Sequence, residues 1–318
     1  MKFRTEIEIE PYDAKIMHDE KIATFGSCFA ENIAEKFDYY KFDILKNPFG
    51  VLYNPASIAN SLSLVFNKKK FTRDDLIFHQ GEFHSFYHHS DFSHHDVDTC
   101  LTRINKGLER AEAFLRQANW TFLTLGTAYV YKHKERDIIV SNCHKIPQNQ
   151  FERFRLNVSE TKKEIVRSVK YLKLLNENIR IVLTVSPVRH WKDGAIENQR
   201  SKATLLLAVE EVLRECGDVY YFPSYELITD DLRDYRFYET DLLHPNAVAT
   251  AYIWEKLSVA FFDDETRRLL ARIEKIVRGL NHRPRNPNSP KHKEFTEKLK
   301  SQIETLVKEF PYLEQRFR

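Results

Sequence analysis

No run of 18 or more apolar residues occurs in the 318-residue chain, so no segment of it is expected to span a membrane. Cysteine is scarce: Cys28, Cys100, Cys143 and Cys216 stand far apart with no CxxC pair, which argues against a disulfide framework and a cysteine-held zinc site. The opening stretch, MKFRTEIEIEPYDAK, alternates charged with apolar residues and lacks the continuous apolar core of a secretory signal; a reducing, cytoplasmic setting is the expectation. An excess of one charge is missing too. The 49 Lys and Arg against 46 Asp and Glu give a net +3, too near neutral to imply a nucleic-acid or membrane partner. Glycine is limited to 8 residues beside 23 Phe and 15 Tyr, which points to aromatic-rich packing with few flexible linkers.

What remains is an ordinary globular composition, 42% hydrophobic and 30% charged, in a chain long enough for a substantial core. Short apolar runs at Lys21–Phe25, Phe42–Leu45, Trp120–Leu125, Ile181–Val185 and Val219–Phe222 alternate with helical patterns. Leu101, Ile104, Leu108, Ala111 and Leu115 share one helical face, as do Ile165, Val169, Leu172 and Leu175. Further helices are predicted over about residues 201–216, stopped by Gly217, and from just after Pro245 to Phe261. This rhythm predicts an α/β fold: a flavodoxin-like, doubly wound parallel sheet of five strands, whose ligands lie beyond the strand C-terminal ends.

Two stretches break the rhythm. Residues ~66–100, rich in His, Phe and Asp, read as an insertion within a main domain of residues 1–262. Residues 263–318 read as a C-terminal helical extension, with a Pro/Asn-rich break (NHRPRNPNSPKH) and a final helix bearing Phe295, Leu299, Ile303, Leu306 and Phe310 on one stripe. From Glu265 onward fourteen basic residues face seven acidic ones, which reads first as a solvated helical face and only second as a site for phosphates.

The first run ends Thr24-Phe25-Gly26-Ser27-Cys28, and a helical pattern begins at once. Glycine permits a tight strand-to-helix turn that exposes a serine hydroxyl beside a helix N-terminus, where backbone N–H groups can receive an oxyanion. A plain N-cap role for Ser27 is the alternative. Far along the chain, Asp241-Leu242-Leu243-His244-Pro245-Asn246 places a carboxylate and an imidazole at i, i+3, so that Asp241 can orient His244 and leave its other nitrogen to deprotonate a serine. Both segments are predicted at the same sheet edge. Cys28 is a rival nucleophile, although cysteine also packs well as a small hydrophobe.

The string Gly26-Ser27-Cys28-Phe29-Ala30 resembles the motif that names the GSCFA family, within the wider SGNH/GDSL hydrolase superfamily. The resemblance extends through NPFGVLYNP (47–55), LGTAYV (125–130), NCHKIP (142–147), SPVRH (186–190) and the Asp241–Asn246 segment. It implies a serine esterase or acyltransferase acting on a small acyl ester, of which an acylated carbohydrate is one example, without cofactor or metal. Ser27 would be the nucleophile, His244 the general base and acid, and Asp241 its orienting partner. In such enzymes the oxyanion hole takes the nucleophile's own N–H, a glycine N–H after strand two and an asparagine after strand three. The first two map onto Ser27 and Gly50. Ala128 stands where the asparagine is usual, so Asn142, the Thr127 hydroxyl or an N–H of that loop is the candidate third donor. The alternative function is a catalytically lapsed relative that binds a ligand or partner.

Around this constellation, His84, His88, His89, His94 and His95 cluster without compact zinc-ligand spacing, and a substrate-facing loop is the first reading. Arg189 and His190 follow the fourth run at the expected ligand edge, where an arginine can hold a carboxylate or phosphate or satisfy an acid of the fold. Thr127, His84, His144, Arg189 and His190 are thus the candidate substrate contacts.

Overall fold

A computed structural model describes residues 4–317. Its centre is a parallel sheet of β1 (Lys21–Gly26), β2 (Asp43–Lys46), β5 (Trp120–Leu125), β9 (Arg180–Val185) and β10 (Val219–Tyr221), in the order β10-β9-β5-β1-β2. The five apolar runs became these five strands, in the order of a flavodoxin-like sheet. All six residues of β5 are buried, as expected of a strand covered on both faces. The pleat sorts side chains between two layers. Ala23, Phe25, Leu123, Leu125 and Val185 face one core, with α2 (Pro55–Phe66), α3 (Val97–Leu115), α4 (Val158–Leu175) and α5 (Gly194–Glu215). Ile22, Phe122 and Val182 face the other, with α1 (Cys28–Tyr39) and α7 (Ala247–Phe261). A short turn of helix, α6 (Ser224–Glu226), leads from β10 into a π-helical stretch at Leu227–Asp231.

Helices α3 and α4 start earlier than their apolar stripes suggest, because caps rather than hydrophobic residues set their boundaries. Asp96 accepts the Thr99 N–H at the start of α3, and Asn157 forms a capping box with Glu160 at the start of α4.

The predicted insertion contains a small hairpin, β3 (Ile77–His79) and β4 (Glu82–His84), joined by Gln80-Gly81 with φ of 50° and 86°. Two consecutive positive φ values are what a tight two-residue hairpin requires. A second departure went unread in the sequence. After β5 the chain forms an antiparallel sheet of β6 (Tyr129–His133), β7 (Ile138–Val140) and β8 (Phe151–Arg155), ordered β7-β6-β8. Its strands are short, and β8 buries only Phe151, so no strong alternation marks them.

Beyond the sheet, Leu269, Ile273 and Val277 of α8 (Asp264–Leu280) pack with Leu299 and Leu306 of α9 (Pro290–Glu309) and with Leu313 of the short helix at Pro311–Arg316. Tyr39 and Tyr40 at the end of α1 pack against the same cluster, and Arg316 donates to the carbonyls of His18 and Lys41. Of the predicted final stripe, Leu299 and Leu306 are buried, while Phe295 is 40% exposed. Among the described residues no helix is long and apolar enough to cross a membrane.

Candidate active site

β1 delivers Ser27 to the C-terminal edge of the sheet, beside β5. This is where successive connections leave in opposite directions and where doubly wound sheets bind ligands. Gly26 makes the turn: its φ is 146°, and a Cβ there would lie 2.2 Å from the Thr124 carbonyl oxygen. Ser27 then takes the N-cap position of α1 in extended geometry, its carbonyl accepting the Ala30 N–H at 2.8 Å. Its hydroxyl does not cap the helix. Ser27 is 1% exposed, and its Oγ has no hydrogen-bond partner among the described residues.

Gly126, at the end of β5, allows close approach from several sides. A Cβ at Gly126 would meet the Tyr53 carbonyl oxygen at 2.9 Å, His190 Nε2 at 3.1 Å and Ser27 Cβ at 3.3 Å. Beneath it lies Lys202 of α5, wholly buried, whose Nζ donates to the carbonyls of Gly126 (2.7 Å) and Ser186 (2.6 Å). Burial pulls its ammonium down to about 7. Lys202 was missed in the sequence, although the signal is there: it shares a helical face with Asn198, Leu205 and Val209, where a core residue is expected.

The loop before α7 builds the second half. Asp241 Oδ1 accepts the N–H groups of Leu243 (2.9 Å) and His244 (3.0 Å), and its Oδ2 pairs with His244 Nδ1 at 2.6 Å. Those two backbone donors, His244 first, and then the ring hold the Asp241 carboxyl down to about 2. Nδ1 is therefore engaged, and Nε2 is the nitrogen left for proton transfer. Asn246 fixes the loop's exit, capping α7 through Val248 and Ala249 N–H. Cys28 and His244 line one cleft of about 520 Å³, together with Glu31, Asn32, Glu35 and Glu239. No hydrogen bond joins Ser27 to His244. The Cys28 thiol is pushed up by burial, which keeps it protonated and weakens it as a nucleophile.

The other candidates are placed as follows. Gly50 N–H donates to the Asn47 carbonyl at 2.7 Å, inside its own turn. Asn142 Oδ1 accepts the His144 N–H at 2.9 Å, and no hydrogen bond links it to Ser27 or His244. Thr127 Oγ1 pairs with Ser201 Oγ at 3.0 Å. His84 and His144 are buried and stacked at 4.5 Å; His84 bonds Ser93 and the His79 carbonyl, and His144 Nε2 bonds the Ser85 carbonyl. Neither ring lines the cleft beside His244. Their spacing in the sequence carried no sign that they pack the insertion onto the loop after β7. Arg189 lines a smaller cavity of about 180 Å³ with Tyr235, Tyr238 and Leu242. His190 stands against Gly126, its ring edge-on to Tyr53 at 5.3 Å. Among the described residues no group of three or more His, Cys, Asp or Glu side chains is placed to hold a metal ion.

A doubly wound α/β protein with an unengaged serine at the end of β1 and an Asp–His pair before the last sheet-packed helix is the class that fold and residues define. The chain belongs to the GSCFA family: the model of that family matches residues 21–257, and that of the GSCFA domain protein, C-terminal domain, matches residues 273–316. No curated protein matches the chain. Among solved structures it is similar to a carbohydrate esterase family 3 from Talaromyces cellulolyticus, at 9% identity and a TM-score of 0.29, over 52% of this chain and 64% of that one. It thus spans just under two thirds of that enzyme's chain. It is also similar to a serine-to-alanine mutant of an acetyl esterase with acetate ion, at 10% identity and a TM-score of 0.33, over 81% of this chain and 99% of the other.

Proposed function

We propose that the protein is an SGNH-type serine esterase or acyltransferase acting on a small O-acyl ester of a neutral, hydroxyl-rich carrier such as a carbohydrate. The observation that carries this reading is the Ser27 hydroxyl: buried, uncapping and without a partner, at the sheet edge where an oriented imidazole also stands. Ser27 Oγ would add to the acyl carbon while His244 Nε2 takes its proton, and Asp241 would stabilise the imidazolium that forms. On collapse the carrier alcohol leaves with that proton. Water, or a second alcohol, then enters by the same route and releases the acid or the new ester. The reaction requires His244 Nε2 to come within about 2.6–3.2 Å of Ser27 Oγ, a contact that commonly tightens only with substrate bound. Three carboxylates, Glu31, Glu35 and Glu239, against Lys36 give the cleft an acidic lining that disfavours phosphate-bearing carriers.

The test is turnover of p-nitrophenyl acetate and a panel of acetylated sugars. Wild type is expected to hydrolyse at least one, and Ser27→Ala to fall to the uncatalysed rate while remaining folded. Equal rates in the two proteins would remove Ser27 from the chemistry. A second reading, a ligand-binding relative without turnover, is favoured by one observation: Gly50 N–H and the N–H groups of Gly126, Thr127 and Ala128 all have partners within the protein. It expects a sugar-induced thermal shift that survives in Ser27→Ala, with no ester cleaved.

A further inference from the structure

An ester-cleaving site needs donors for the oxygen that becomes negative, and the expected donors are engaged elsewhere. Ser27 N–H donates to the Thr124 carbonyl at 3.2 Å and Gly50 N–H to that of Asn47 at 2.7 Å. At the end of β5, the N–H groups of Gly126 (2.8 Å) and Thr127 (2.9 Å) both reach the Tyr53 carbonyl, and Ala128 N–H reaches Ser201 Oγ at 2.8 Å. Asn142 is tied into its own loop.

One ring nitrogen at the same spot is free. His190 Nε2 is buried and has no partner among the described residues. It stands 3.1 Å from the point a Gly126 Cβ would occupy, and Ser27 Cβ stands 3.3 Å from that same point, so the two side chains flank one small space. The ring is held in place. Asn198 Oδ1 accepts the His190 backbone N–H at 3.0 Å, and Tyr53 meets the imidazole edge-on at 89°.

We propose that His190 donates its Nε2–H to the oxyanion formed when Ser27 attacks, filling the place of the asparagine that this chain lacks after its third parallel strand. The proposal rests on Ser27 being the nucleophile. In the step, Ser27 Oγ bonds to the acyl carbon, the carbonyl π pair moves onto oxygen, and His244 takes the hydroxyl proton; His190 hydrogen-bonds that oxygen and transfers no proton.

The surroundings suit a donor better than a base. Burial, with Lys202 below and His244 and Arg153 nearby, holds the His190 imidazole down to about 4, so it is neutral at pH 7. The charged groups acting on it are all basic, whereas His244 has the Asp241 carboxylate to stabilise its cation. Proton acceptance is thereby assigned to His244.

The test uses the full chain with His190→Ala and His190→Asn, Ser27→Ala setting the floor and thermal melting reporting the fold. His190→Ala is expected to lose about 10²–10³-fold in kcat, with KM within about threefold of wild type. His190→Asn, whose amide can donate but cannot act as a base, is expected to recover at least about tenfold of that loss. A kcat for His190→Ala within about threefold of wild type, or a folded His190→Asn no better than His190→Ala, overturns the proposal. If His190→Ala fails to fold, the asparagine variant decides alone: activity within about tenfold of wild type supports a donor, and activity at the floor contradicts one. Wild type no faster than Ser27→Ala would instead sink the nucleophile reading itself, and the His190 role with it.

Discussion

Ser27 is nearly fully buried, yet its hydroxyl neither caps α1 nor finds another partner. A buried hydroxyl left unsatisfied costs about 1–3 kcal/mol, and a missing N-cap bond forgoes about 1 kcal/mol more. A serine kept on those terms fits a site shaped for chemistry rather than for stability, so Ser27→Ala is expected to melt no lower than wild type while losing turnover. In the proposed mechanism Asp241 acts through His244, which it pairs at 2.6 Å, rather than on substrate. Asp241→Asn can still accept the two backbone N–H bonds through its amide oxygen, but its NH₂ would face His244 Nδ1 and impose the wrong tautomer. The expected result is a fall in kcat of about 10³–10⁴-fold with little change in KM, read from initial rates at neutral pH. Because the Asp241 carboxyl titrates at about 2, its folded-state pairing is lost only as pH falls through that value, so an acid limb near pH 6 would not report Asp241.

At the scale of elements, β5 and β9 are clamped where they end by Lys202, whose Nζ bonds one carbonyl from the end of each strand. Its folded value of about 7 lies below its ordinary 10.5, so between those limits the unfolded chain binds the extra proton. Stability contributed by this residue therefore rises as pH rises from about 7 to about 10.5. Chemical denaturation across that range should show wild type gaining stability relative to Lys202→Met. Parallel curves would mean that the clamp is charged throughout. The elements themselves were unevenly legible. Apolar runs such as Trp120–Leu125 are buried on both faces, and their composition alone marks them as strands. Strands β6 to β8 carry no comparable pattern, since an edge sheet with one covered face tolerates Tyr, Lys and Glu. Gly-Ser-Cys and Asp-Leu-Leu-His could be read because a turn and an i, i+3 pair are local. The approach of His190 and Ser27 to Gly126 could not, since it joins three segments that only the folded sheet brings together.

Across the whole molecule, the two ends of α1 serve different ends. Its first residues carry Ser27 and Cys28 to the crevice, and its last, Tyr39 and Tyr40, support the helices α8 and α9. Tyr39 also borders the cleft that holds His244, so the C-terminal helices back the wall of the candidate site. The proposed function depends on two segments more than 200 residues apart, at positions 27 and 241–244, working on one ester. The most direct measurement is covalent labelling with a fluorophosphonate followed by mass-spectrometric mapping of the adduct. The adduct is expected on Ser27, retained at full rate in Cys28→Ser and slowed at least about 10²-fold in His244→Ala. An adduct on Cys28, no adduct on the folded protein, or a labelling rate indifferent to His244 would contradict it.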